Sequence, residues 1–308
     1  MCILMKKLLK SQKGSTLVIF GLSAVVLFGF VALVADIGMM TLHRAKLSNA
    51  VDAAALAGAQ ELIYNAENAP GRAAEYFREN GYADSPIDVA IDEDQTAIRV
   101  TASHEVNFGL ARVLGFSSEN VQATVKGKVL PVIAVNSGTR PFAIQDQELE
   151  FGAQYTLKRG GGNGSGGNYG GIALGGNGAK IYLNNIVEGY NERLMVGDYV
   201  QTEPGNMSGP TQDGVNQLIN QCTHTPRCTF DHFEPDCPRV ITVIIVDTLD
   251  VNGRSTVQIT GFASFFLEGG VGSGNKSEVT GRFIKTVASG EVSDTQNDYG
   301  LYGVRLME

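Results

Sequence analysis

Hydrophobic and polar positions divide the chain into three regimes. From Gly14 to Ala35 runs an uncharged stretch, interrupted in its apolar character only by Ser15, Thr16 and Ser23. As a helix it would be about 33 Å long, close to one hydrocarbon core. From Asp36 to about Ile63 the helical period continues: proline is absent, and the glycines at 38 and 58 are isolated. Leu47, Val51, Ala54, Gly58 and Leu62 recur at helical spacing, while Lys46, Asn49 and Gln60 lie elsewhere on the wheel. The two stretches together predict one rod of roughly 50 residues, about 70 Å long. Its small residues, Ala53, Ala54, Ala55, Ala57, Gly58 and Ala59, allow another backbone to come close. Val51, Ala54 and Gly58 mark the packing face, which can serve a second protein, this chain's own following domain, or both.

Past the rod the period shortens. Pro70–Asn80 reads as a short helix stopped by Gly81. Ile87–Ile91, Ala97–Val106 and Val121–Val129 alternate as strands, the first two separated by the acidic turn at 92–94. Phe108–Leu114 reads as another short helix before Gly115. Residues 36–130 are thus expected to be the rod plus a small α+β domain. Residues 131–141, with two prolines, Ser137 and Gly138, are expected as a linker. Residues 142–308 are expected to be β-rich, sandwich or barrel-like. Strands are predicted at Leu149–Leu157, Gly171–Leu174, Ile181–Leu183, Asp198–Thr202, Val240–Asp247, Val257–Leu267 and Val279–Val287, with a helix at Asp213–Cys222. The run Val240–Val246 is apolar almost throughout and is read as a central buried strand. The fold class expected is α+β.

Charge adds a direction. Lys6, Lys7, Lys10 and Lys13 precede the apolar run, and every one of the 32 acids lies at or beyond Asp36. Cytoplasmic flanks carry the Lys/Arg excess, so residues 1–13 are expected in the cytoplasm, 14–35 across the membrane and 36–308 outside. A cleaved signal peptide would have a shorter apolar core and a small residue where Leu33 stands, so a retained single-pass anchor is expected. Residues 36–308 hold 20 basic against 32 acidic residues, a net charge of −12. Such a field repels phosphate backbones, so nucleic acid is not an expected partner.

Three segments carry a family resemblance: Lys13-Gly-Ser-Thr-Leu-Val-Ile-Phe20, Val34-Ala-Asp-Ile-Gly38, and Ala45-Lys-Leu-Ser-Asn-Ala-Val-Asp-Ala-Ala-Ala-Leu-Ala-Gly-Ala59. Together they resemble the N-terminal segment of TadE/TadG-like proteins of the tight-adherence (Flp) pilus machinery. Asp36, Gly38, Leu47, Asn49, Asp52 and Ala53 to Ala59 carry the match. The resemblance covers about a fifth of the chain. It implies a membrane-anchored minor pilin or pilus-assembly protein, partnered by other pilus-assembly or pilin-like proteins, and not an enzyme. Pilin precursors cut by the prepilin peptidase carry glutamate at the fifth residue after the cleavage glycine; counted from Gly14, that position is Ile19. The larger TadG-like members share this lack, which favours an uncleaved anchor.

Candidate chemistry is confined to two places. Gly160–Gly178 is more than half glycine but lacks the strand–loop–Lys-Ser/Thr–helix order of a phosphate cradle, and is read as a loop. Cys222, His224, Cys228, His232 and Cys237 place five soft ligands in one short segment. Outside the cytoplasm the default is a disulfide between two of Cys222, Cys228 and Cys237, leaving an odd thiol. The alternatives are a tetrahedral zinc site, at spacings that miss the usual Cys-x2–4-Cys pattern, and a cysteine–histidine nucleophile without an identifiable orienting acid. The first alternative to a pilus role is accordingly a membrane-tethered hydrolase or metal-binding head built on these five residues. No Gly-x-Ser-x-Gly or His-Glu-x-x-His motif is present. No catalytic residue, cofactor or small-molecule substrate is expected.

Overall fold

A computed structural model describes residues 12–161, 167–269 and 271–307. Lys6, Lys7, Lys10 and the first cysteine, Cys2, lie outside them, as does the middle of the glycine-rich stretch. The first element is one uninterrupted helix, α1, from Gln12 to Tyr64, 53 residues and about 80 Å long. Its two halves have different surroundings. Leu17, Phe20, Val25, Phe28 and Val34 are exposed on all sides, whereas Leu47, Val51, Ala54, Ala55, Ala59 and Leu62 are buried. They are buried against the chain's own first sheet and the short helix α2, Ala69–Phe77.

That sheet is antiparallel through β1 (Ile87–Ile91), β2 (Ala97–Asn107) and β3 (Ser118–Val135). β2 pairs with β3 without a slip from Ala97↔Lys128 to Asn107↔Ser118. The acidic turn between β1 and β2 is closed by a backbone bond from Asp92 to Ala97 and tied to β3 by a Lys126–Asp92 ion pair of 2.7 Å. The helix sits very close to the sheet. A Cβ built on Gly127 would stand 2.7 Å from the Ala55 carbonyl oxygen, and one on Gly58 would stand 2.7 Å from Ile98 Cδ1. Small residues on both partners therefore bring backbone to backbone, and Val51, Ala54 and Gly58 face inward.

Residues 131–141 are mostly extended rather than a free linker. β3 runs on to Val135, and β4 (Thr139–Gln145) starts after a tight turn at Gly138, whose φ is 86°. Pro131 is tolerated inside β3 for a local reason. The Val129 N–H reaches Thr96 on the β2 side, and two residues on the missing N–H of Pro131 faces that same side beyond the end of β2.

The β-rich part contains β5 (Gln154–Lys158), β6 (Asn168–Ala173), β7 (Leu194–Met195), β8 (Tyr199–Pro204), β9 (Val240–Val246), β10 (Thr256–Leu267) and β11 (Val279–Ile284). The pairings β10–β9–β4–β6–β8–β10 close on themselves, with β11 and β5 continuing from β10. Closure explains why β9 is apolar along its length: one face joins the core around Phe142, Phe265 and Phe283, the other that around Ile172, Ile244 and Phe262. The chain ends by returning to the first sheet: β12 (Thr286–Val287) pairs with β14 (Leu301–Met307), and β13 (Gly290–Val292) and β14 pair with β3.

Two helices pack on the closed sheet, α3 (Ala179–Val187) and α4 (Ser208–Gln221). Ile181–Leu183, expected as a strand, is the middle of α3. Three apolar residues in a row define no period, and the buried set in the structure is Tyr182, Asn185 and Ile186, one side of a helix. α4 crosses α3 at Gly214, where a Cβ would meet Ile186 Cγ2 at 2.6 Å.

Candidate functional site

Two places stand out: the point where α1 leaves the fold, and the thiol–imidazole cluster. At the first, the helix window of highest mean hydropathy, 2.8, has none of its residues buried. Where the uncharged run ends, Asp36 is buried. Its carboxylate accepts the backbone N–H of Gly109 at 2.9 Å and those of Leu110 and Ala111. These are the free donors at the start of a short 3-10 turn, Ala111–Leu114, so Asp36 caps from a distance what no local side chain caps. Leu110 and Phe116, on the tethered segment, are 49% and 63% exposed. A little further along α1, His43 stacks on His104 of β2 at 5.7 Å between ring centroids, and Ser85 Oγ lies 2.9 Å from His104 Nδ1.

The second place is assembled after α4. Cys222 is the residue that stops this helix, turning to extended angles (φ −67°, ψ 107°). Cys228 follows in the loop, and Cys237 precedes β9. The three sulfurs and one ring nitrogen of His224 all lie within 4.8 Å of one another, and the cysteines are no more than 3% exposed. They are thiols without S–S bonds in the structure. The group rests on Phe266 and Ile284 of the closed sheet and is flanked by Phe230 and Phe233. Arg239 holds the loop in place: Nη1 donates to the Cys228 carbonyl at 2.6 Å, Nε to Leu267 at 2.8 Å and Nη2 to Glu268 at 2.9 Å, with the guanidinium stacked 4.6 Å over Phe266.

The electrostatics are those of a shared site. Burial alone would raise the Cys222 thiol, but N–H groups of Cys228 and His224 and the neighbouring His224 and Cys237 side chains outweigh it, and its pKa falls. Burial pushes Cys237 the other way, reinforced by Cys228 and Cys222. His224 is raised mainly by its contact with Cys222.

His232, the fifth candidate by sequence, is not in this group. Its backbone bridges to Thr229 across a tight turn, which leaves the side chain exposed. Elsewhere, a cleft of about 930 Å³ is lined by Asp146, Gln154, Arg159, Tyr169, Asp250 and Glu278. Beside it Lys158 is buried, and its ammonium donates to Asn206 and to the carbonyls of Arg159 and Ser277. Burial lowers the Lys158 pKa to about 8.

Neither a curated protein nor a solved structure is matched by this chain. Residues 14–61 match the family model described as putative Flp pilus-assembly TadE/G-like. The exposed apolar half of α1, Asp36 and the buried Leu47–Ala59 stripe all fall within that match, so the N-terminal helix of this protein is similar to the TadE/G-like pilus-assembly segment, and it is long and apolar enough to span a membrane.

Proposed function

We propose that this is a single-pass membrane protein of pilus assembly, a minor pilin or assembly factor, with its N-terminus in the cytoplasm and residues 36–308 outside. The observation that carries the reading is the coincidence of the TadE/G-like match with a helix whose apolar window is not buried by its own fold. Leu110 and Phe116 support it: Asp36 holds their segment level with the end of the apolar run, where a bilayer interface would take up both side chains. The small α+β layer then acts as a stalk and the closed β-rich part as an interaction head. The role is structural and needs no substrate; its partners are other pilus-assembly or pilin-like proteins in the same membrane.

The test is a charge at the middle of the span. Leu27→Arg puts a guanidinium at a position 65% exposed in the structure, at a cost of about 2.5–3.5 kcal/mol at a helix centre. The variant should leave the membrane fraction, and cells that build pili with this chain should lose them from the surface. Normal pili with the variant off the membrane would refute the reading.

A further inference from the structure

We propose that Cys222, His224, Cys228 and Cys237 form a closed, structural zinc site. Four side chains from one short segment converge on one point, with ligand atoms all within 4.8 Å. A tetrahedral zinc with Zn–S bonds of about 2.3 Å needs its ligand atoms roughly 3.5–3.8 Å apart, so the group fits after a small contraction.

The imidazole gives an independent argument. His224 Nδ1 faces Cys222 Sγ at 3.8 Å, while Nε2 points outward to Asp236 Oδ1 at 3.4 Å. That is an orientation suited to a metal-binding histidine: one nitrogen turned to the ligand cluster, the other facing outward with a carboxylate nearby. A disulfide would use only two of the three buried sulfurs and leave the third as a lone thiol in an apolar pocket. Zinc uses all four side chains. Three thiolates, one neutral imidazole and Zn²⁺ sum to a charge of −1, and the thiol protons leave to solvent on binding. Backbone N–H groups of His224 and Cys228 on Cys222 Sγ, and of Arg239 on Cys237 Sγ, are placed to stabilise that charge.

With four protein ligands no position remains open for water or substrate, which makes the centre structural. Its task is mechanical: it joins the end of α4, the loop around Cys228 and the entry to β9, the strand buried on both faces.

The full chain, purified in detergent without added metal, should carry one zinc per molecule by plasma mass spectrometry. Its buried thiols should resist a thiol reagent until a strong chelator is added, and chelation should lower the melting temperature. Cobalt in place of zinc should give the sulfur-to-cobalt charge-transfer and tetrahedral d–d bands of a site with three thiolates and one imidazole. His224→Cys should keep the metal and move those bands to the spectrum of an all-thiolate site, and His232→Ala should leave them unchanged. The first variant decides the matter even if cysteine replacements fail to fold. A disulfide between any two of Cys222, Cys228 and Cys237 without stoichiometric metal, or thiols equally reactive with and without chelator, would overturn the proposal.

Discussion

Replacing Gly58 by leucine should destabilise the folded chain by about 2–3 kcal/mol, the usual cost of forcing a large side chain into a filled core. The position has no room. A single Cβ there already meets Ile98 Cδ1 at 2.7 Å, Ala73 Cβ at 3.0 Å and the Ala69 carbonyl at 3.2 Å, so β2 and α2 must both retreat. Gly38 supplies the control on the same helix. Nothing lies within 4 Å of its Cβ position, and Gly38→Leu should leave the melting temperature where it was. Thermal melts of the detergent-solubilised chain, followed by near-ultraviolet circular dichroism of its tyrosines, would measure both. If Gly58→Leu instead left the melt unchanged and only weakened association with a partner, the small-residue face would be an intermolecular one.

Arg239→Lys should cost about 2 kcal/mol although it keeps the charge, because buried acceptors that lose their donor go unsatisfied. One guanidinium serves three carbonyls, those of Cys228, Leu267 and Glu268, and stacks on Phe266. A lysine ammonium on a flexible stem cannot reproduce that fork, and at least two of the three carbonyls are left without a partner. Arg239→Ala should cost more, about 3 kcal/mol, by removing the cation–π stack as well. A lower urea midpoint at unchanged m-value, with faster hydrogen exchange across residues 228–237, is the expected signature. An unchanged midpoint for Arg239→Lys would mean that the ammonium or solvent satisfies the same carbonyls.

How much of this is legible in the sequence depends on the range of the interaction. α1 is visible because its apolar run is long and its stripe periodic, and β9 because a strand buried on both faces has no polar alternation to hide it. The short α3 defeats pattern reading: Ile181-Tyr182-Leu183 suits strand or helix equally, and packing against Gly214 of α4 decides. β14 escapes the pattern because Leu301–Met307 becomes a strand only by pairing with β3, about 170 residues earlier. Asp36 is conspicuous as the first acid after the apolar run, yet its role is to cap N–H groups 73 to 75 residues away. The cysteine–histidine spacing announces a site without saying which four of five residues meet. The turn at Thr229–His232 removes one, and the break in α4 at Cys222 together with the start of β9 after Cys237 gathers the rest.

Orientation in the membrane is the central claim, and it can be read directly by labelling. Asp84 is exposed and lies beyond α1, so Asp84→Cys offers a reporter on the head side. Native Cys2 is the opposite reporter, four residues before the first lysine of the basic segment. The other three cysteines are buried and should stay silent. A membrane-impermeant maleimide added to intact spheroplasts should label the cysteine at position 84 at once and Cys2 only after lysis. Labelling of Cys2 in intact spheroplasts, with position 84 protected until lysis, would contradict the topology and the extracytoplasmic head with it.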